Sequence, residues 1–223
     1  MKYTFIDIGT AYFSVSADIY GVDVQGMYVE PIRKYLDVLP GSSTIIKECA
    51  VISAEDGEVE FNALIPDHRV NYVSDKHLRR IVQNASKNKK ALNDLCTIGE
   101  YGGSTLDMNS QLVLLSKNND ISYSKIKVKS MTLRTLFTKH DVTSIGYLKI
   151  DVEGFENVVL NQLIELLREG LTVETIRFEY NARSDMNELM GICLSMCEEF
   201  GYTWREEHFN WDDDIVMEKI YVQ

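Results

Sequence analysis

The stretch YLKIDVEGFENVVL, residues 147 to 160, sets Lys149, Asp151, Glu153 and Glu156 among residues that otherwise read as buried strand and helix. A carboxylate at such a place can take the proton of a reacting hydroxyl, and a neighbouring ammonium favours its ionised form. Alternation along a strand puts Tyr147, Lys149 and Asp151 on one side, so Lys149 is placed to pair with Asp151. Asp151 is then the first candidate base and Glu153 the second. The same residues also fit a structural ion pair followed by first-turn glutamates that stabilise a helix amino end.

Two further acids stand at comparable places. Asp7-Ile8-Gly9 follows a β-rich run and precedes a helix pattern, and Gly9 lets a ligand approach the backbone closely. Glu30 follows Asp7 by 23 residues and ends the next strand, where an acid in a nucleotide-binding fold accepts both ribose hydroxyls. Together they point to an adenosine-containing ligand. Neither G-x-G-x-x-G nor G-x-x-x-x-G-K-[ST] occurs, so a dinucleotide or a nucleoside triphosphate would lack its phosphate cradle. S-adenosylmethionine carries no phosphate and bears a sulfonium cation, which an acidic rim tolerates. Glu179, at the end of TIRFEY, is a further acid at a strand end. His68, His77, His140 and His208 are scattered and read as non-catalytic.

The elements that must position these acids alternate. Strands are predicted over 3–8, 26–30, 44–52, 121–133, 145–151 and 175–180, and helices over 12–20, 31–39, 133–139 and 155–169. Asp56-Gly57 is expected to turn the third strand into a short hairpin with residues 58–62. Asp185 with Glu188 reads as a cap for a helix ending at Phe200, and residues 202–206 and 215–222 as a final antiparallel hairpin. Residues 64–110 are polar, with a helix pattern over 75–85, and read as an insertion, lid or substrate loop within one domain spanning 1–223. Such alternation implies a mostly parallel sheet that binds its ligand at the carboxyl ends of the strands.

Composition narrows the partners. A formal charge of −11 argues against nucleic acid or an anionic membrane surface, since phosphate binding needs clustered Lys and Arg. No apolar run approaches the roughly 20 residues of a membrane helix. The four cysteines form no C-x-x-C pair and follow no signal-type leader, from which a reduced, cytoplasmic setting and no metal site are expected. A bridge between Asp151 and Glu153 would lack a third ligand.

The segments FIDIG, YVEP, ECAVISAEDGEVEF, YGGS, KIDVEGFENVVL and IRFEY, in this order and spacing, resemble the FkbM family of S-adenosylmethionine-dependent methyltransferases. The resemblance runs from about residue 4 to 180, and K-I-D-V-E-G-x-E is its most specific piece. It implies a Rossmann-like class I methyltransferase fold, an α/β structure with a mostly parallel seven-stranded sheet and a C-terminal antiparallel hairpin. The implied activity is methyl transfer from S-adenosyl-L-methionine to a hydroxyl of a small molecule such as a saccharide. By position, Asp7, Gly9 and Thr10 match the first cofactor motif, Glu30 the ribose acid, and Ala50 and Val51 the segment beside the adenine. Asp151 and Glu153, with Lys149, match the charged group near the methionine end and the acceptor. One departure stands out: the family's D-x-G-A-N-x-G-x-x-S is shortened here to DIGTAYFS, without the Asn and second Gly. That departure leaves open a second reading, a non-catalytic Rossmann-like binding module. Oligomeric state is not legible.

Overall fold

A computed structural model of the chain describes residues 1–11, 13–63, 124–180, 186–208 and 213–221. In chain order its elements are β1 (Lys2–Ile8), α1 (Val15–Tyr20), β2 (Gly26–Val29), α2 (Arg33–Val38), β3 (Ile45–Glu48), β4 (Val51–Ile52) and β5 (Gly57–Ala63). There follow β6 (Ser124–Met131), α3 (Leu133–Lys139), β7 (Ser144–Ile150), α4 (Glu156–Arg168), β8 (Thr172–Tyr180), α5 (Met186–Phe200), β9 (Tyr202–His208) and β10 (Asp213–Lys219). The sequence's helical insertion over 75–85, and the YGGS segment, lie outside the described residues.

Seven strands form the central sheet in the order β3-β2-β1-β7-β8-β10-β9. The pairs from β3 to β8 are parallel, and β10 runs antiparallel to both β8 and β9, giving the expected C-terminal hairpin. The apolar alternation of the strands decides what covers each face. Ile6, Ile8, Leu148, Ile150, Ile176 and Phe178 share one core with Leu163 of α4 and Met196 of α5. Phe5, Tyr28 and Tyr147 point the other way, against Ala17 of α1 and Leu36 of α2. On α4, Val159, Leu160 and Leu163 are fully buried and contribute about 1.5–3 kcal/mol each. The exposed Arg168–Glu165 pair on the same helix contributes about 0–1 kcal/mol. Packing therefore holds α4 in place, and Gly170, at φ 104, ends it.

Several local expectations are corrected. The run 44–52 is two strands in two sheets: β3 closes the edge of the central sheet, whereas β4 joins a separate three-stranded sheet of order β4-β6-β5. Asp56-Gly57 makes no hairpin, because β4 and β5 flank β6 on opposite sides, one parallel and one antiparallel. Asp56 instead accepts from Thr132 N and Thr135 Oγ1, both at 2.7 Å, and anchors the start of α3. The strand KIKVKS belongs to this small sheet; its pairing partner, some 70 residues away in the chain, is not encoded in a period-2 pattern. The first helix starts at Val15 because Ser14 Oγ accepts from Ala17 N (3.1 Å) as its cap. The second starts at Arg33, since Glu30 takes the Ile32 N–H. Asp185, expected to cap α5 with Glu188, lies outside the described residues; Glu188 accepts from Asn157 (2.7 Å) and Asn161 (3.2 Å) and ties α5 to α4. Among the described residues, no helix is long and apolar enough to cross a membrane.

The edge strand β3 is held by a buried acid. Glu48 accepts from Lys139 Nζ (2.6 Å), lies 2.9 Å from His140 Nε2 and 3.3 Å from Lys129 Nζ. Burial raises its carboxyl, but the bonds to Lys139 and His140 outweigh that and hold it at about 2. A depressed folded-state value gives stability that is complete above the unfolded value near 4.3 and lost as pH falls toward 2. Glu48→Gln is accordingly expected to lower stability at pH 7 by about 2 kcal/mol. Denaturant titrations of both proteins should show this difference shrinking from pH 7 to pH 3, and an equal difference at both would refute the assignment.

Candidate active site at the strand ends

Gly9 closes the top of the sheet. At φ 80 it adopts a conformation that suits glycine, and a Cβ there would lie 1.7 Å from the Asp151 carbonyl oxygen. Its N–H donates to Val29 O (2.9 Å), and Asp151 N donates to Ile8 O (2.9 Å). The ends of β1, β2 and β7 are thereby brought edge to edge. A narrow cleft, open to solvent, begins there. One end is apolar, walled by Pro31, Tyr35, Ala50, Val51 and Phe61; Glu30 stands along it; Gly9, Asp151, Glu153 and Phe155 form the other end.

Glu30 is 5% exposed, and both its oxygens are engaged: Oε1 accepts from Ile32 N (2.8 Å) and Oε2 from Ala11 N (3.0 Å). Burial pushes the carboxyl up to about 7, against the lowering effect of those two N–H groups and with a further push from Asp151. Each carboxylate oxygen has a second lone pair, so the acid keeps acceptor capacity toward the cleft. Two donors from opposite sides also fix its orientation.

The sequence places Lys149 beside Asp151, and the structure joins them: Lys149 Nζ donates to Asp151 Oδ2 at 2.7 Å. Burial works against the charge on Lys149, yet the carboxylates of Asp151 and Asp7 hold its ammonium above the usual lysine range. The Phe13 ring lies 5.9 Å from the same ammonium. Lys149 itself does not line the cleft; it supports Asp151 from the face beneath. Asp151, with a side chain 26% exposed, reaches the opening.

Asp7 and Thr10, expected to touch a cofactor, are not among the cleft residues. Asp7 is fully buried on the opposite face of β1, in register with Tyr28 and Lys149, and accepts from Ser14 Oγ at 2.7 Å. Its burial raises the carboxyl, while Lys149 and Ser14 lower it. Thr10 is buried in the loop, its hydroxyl 3.4 Å from Ala11 O. Side-chain alternation explains Asp7: Ile8 and Asp7 cannot face the same side, and Ile8 takes the cleft side. Glu179, buried across from Asp214, is likewise not among the cleft residues. His140 serves Glu48, and His68 and His77 lie outside the described residues.

Sequence reasoning missed the part played by Glu156. It is 1% exposed and folds the turn back on itself, accepting from Val152 N (3.1 Å) and Gly154 N (3.0 Å). The wrapped backbone holds Glu153 at φ 56, an unusual conformation for a non-glycine residue, with its side chain at the cleft. The signal was the spacing E-G-x-E, which reads equally as two helix-start glutamates. Phe61 and Tyr35 were missed as well, because nothing local shows that β5 and α2 meet.

The donor set suits an adenosyl ligand: an apolar recess for an uncharged base, an acid for a diol, and carboxylates where a cation would lie. Among the described residues it offers no phosphate cradle. Among the described residues, no group of three His, Cys, Asp or Glu is placed to hold a metal ion.

Comparison with known families gives a match to the Methyltransferase FkbM domain over residues 42–203. The matched stretch runs from just before β3 into β9 and contains Ala50, Val51, Lys149, Asp151 and Glu153, while Gly9 and Glu30 precede it. No curated protein and no solved structure matches the chain. With most of its length covered, and with a sheet order and a strand-end cleft that agree, the chain belongs to the FkbM methyltransferase domain family.

Proposed function

We propose that the protein is an S-adenosyl-L-methionine-dependent methyltransferase that methylates a hydroxyl oxygen of a small molecule, a saccharide being the expected class. The observation that carries the reading is the convergence of Glu30 and Asp151 on one cleft beside an apolar recess. The bound cofactor supplies an electrophilic methyl group on a sulfonium. Glu30 receives the ribose hydroxyls, Ala50 and Val51 flank the base, and the backbone of Gly9 leaves room beside them.

The chain's own part in the transfer is positioning and proton removal. A hydroxyl is a weak nucleophile until its proton is leaving, and Asp151 is the first candidate in the cleft to accept it, with Glu153 the second. Lys149 keeps Asp151 Oδ2 occupied and its carboxylate oriented. Glu153, presented by Glu156, faces the acceptor side and contributes a second acceptor for its hydroxyls. Carboxylates at this end also favour the cationic donor over its neutral demethylated product, which helps product release.

Two expected outcomes test the reading. Because its folded-state value lies above the unfolded one, ionising Glu30 costs the free protein stability between about pH 4.3 and 7. Ribose hydroxyls bind best to the ionised form, so affinity for S-adenosylhomocysteine should rise through pH 7, about tenfold weaker at pH 6 than at pH 8. Calorimetric titration should show that dependence in the wild type and a weak, flat profile in Glu30→Gln; no binding by the folded wild type would favour the non-catalytic module. Separately, Asp151→Asn is expected to lower label transfer from S-adenosylmethionine to a panel of hydroxylated acceptors by about 10²–10⁴-fold. Its affinity for S-adenosylhomocysteine should change far less, and an undiminished rate would remove Asp151 as base.

A further inference from the structure

Asp7 is a buried acid that the cleft does not use. It stands opposite Lys149 on the neighbouring strand, and Asp151 lies one step further along the same side of β7. Neighbouring strands run about 4.8 Å apart, so the Lys149 ammonium is within reach of both carboxylates. Asp151 Oδ2 takes one of its N–H groups at 2.7 Å, and the charge of Asp7 adds to that of Asp151 in supporting the ammonium against burial. The two acids differ in access. Asp151 reaches the cleft with its side chain 26% exposed, whereas Asp7 is fully buried. Ser14 fixes Asp7 in place: its oxygen accepts from Ala17 N (3.1 Å), and its hydrogen goes to Asp7 Oδ2 (2.7 Å). Arg177, the next cation along the row, is bonded through Nε to Asp214 at 2.7 Å and so has its own counter-charge.

We infer that Asp7 is a positioning residue of the transfer, a reserve carboxylate that keeps Lys149 compensated while Asp151 takes up the acceptor's proton. This role rests on the methyl-transfer reading above and deepens it. In that step the acceptor oxygen bonds to the methyl carbon, the carbon–sulfur bond breaks with its electron pair left on sulfur, and the hydroxyl proton passes to Asp151. It is received at Oδ1, since Lys149 holds Oδ2. The sulfonium charge is thereby cancelled, and Asp151 becomes neutral. A lysine side chain 8% exposed beside a neutral acid would be a buried cation without an anion, which a low-dielectric interior penalises heavily. Asp7, out of reach of the cleft, supplies that anion. Burial pushes its carboxyl up, Lys149 and Ser14 hold it down, and the charge of Asp151 adds a further upward push. Neutralising Asp151 removes that last push, so the charge on Asp7 is most secure when it is needed. Sharing also makes Asp151 a usable base, because an ammonium committed to Asp151 alone would oppose proton uptake there.

Two experiments on the whole chain separate this role from the reading beneath it. The first needs no ligand: denaturant unfolding of Asp7→Asn, of Asp151→Asn and of the protein carrying both. Asp7→Asn leaves an amide oxygen for Ser14 and removes only the charge. Each single variant leaves Lys149 one carboxylate and the double variant leaves it none, so the midpoint of the double variant is expected to fall by clearly more than the two single shifts together. Additive shifts would overturn the proposal whatever the second experiment gives. Should the double variant not fold, adding Lys149→Met is expected to restore folding by removing the unmatched charge, and failure of that rescue would count equally against it. The second experiment follows label transfer from S-adenosylmethionine to the acceptor panel. Asp7→Asn should lower kcat about tenfold, part of what a general base supplies, with the KM for S-adenosylmethionine and the affinity for S-adenosylhomocysteine within about twofold of wild type. Introduced into Asp151→Asn, it should lower the residual rate by less than about twofold. Loss of cofactor affinity would make Asp7 a cofactor contact, and equal loss of rate in both backgrounds would make it purely structural; either result sinks the proposal. Wild-type protein that neither binds S-adenosylhomocysteine nor transfers label removes the methyl-transfer reading and this role with it, whereas additive unfolding shifts in an active enzyme remove this role alone.

Discussion

The site depends on a single steric contact, the backbone of Gly9 against the carbonyl of Asp151. Because no side chain separates them, β1 and β7 end at the same height, and the hydrogen bonds Gly9 N to Val29 O and Asp151 N to Ile8 O register β2 with both. Glu30 and Asp151 are the first residues past β2 and β7, so this closure fixes their separation before either side chain makes a contact. A residue with a Cβ at position 9 would force the strand ends apart, and the cleft with them.

Beneath that closure lies a row of buried charges. Asp7, Lys149 and Arg177 are directly opposite one another on β1, β7 and β8, all on the same face. Arg177 is bound to Asp214 through Nε at 2.7 Å, and its guanidinium stays charged despite burial because Asp214 and the Tyr147 hydroxyl support it. Charges in such a place are tolerated only when paired, since leaving one uncompensated costs several kcal/mol. Here the pairing has a direction: the cations lie deeper in the sheet, and Asp151 lies toward the cleft. Lys149 is thus committed to a carboxylate at the opening instead of to solvent.

The small sheet acts as a brace. One face completes the main core through Ile52 and Met131, and the other covers the first loop and α2 through Phe61 and Val128. Its strands come from residues 51–63 and 124–131, so Ala11 in the loop after β1 is supported by Val51 and Phe61, about 40 to 50 residues on, and by Val128, more than a hundred residues on. Within that loop Ala11 is held by packing on one side and by its N–H bond to Glu30 on the other.

Much of this was legible in the residues alone. Alternation of strand and helix patterns identified the parallel sheet, the final hairpin and the strand ends, because apolar period and stop signals such as Gly170 are local properties of the chain. The Lys149–Asp151 pair followed from strand alternation, and Glu30 from its place after a short strand. Alternation also held the information that Asp7 and Ile8 face opposite sides, but which side becomes the cleft depends on the neighbours of β1. The division of residues 44–52 between two sheets, the pairing of β6 with both β4 and β5, the wrapping of Glu156 around its turn and the arrival of Phe61 beside Glu30 were decided only in three dimensions. Periodicity and local propensity report what a segment can form, whereas partners are chosen by long-range packing that buries one face against another.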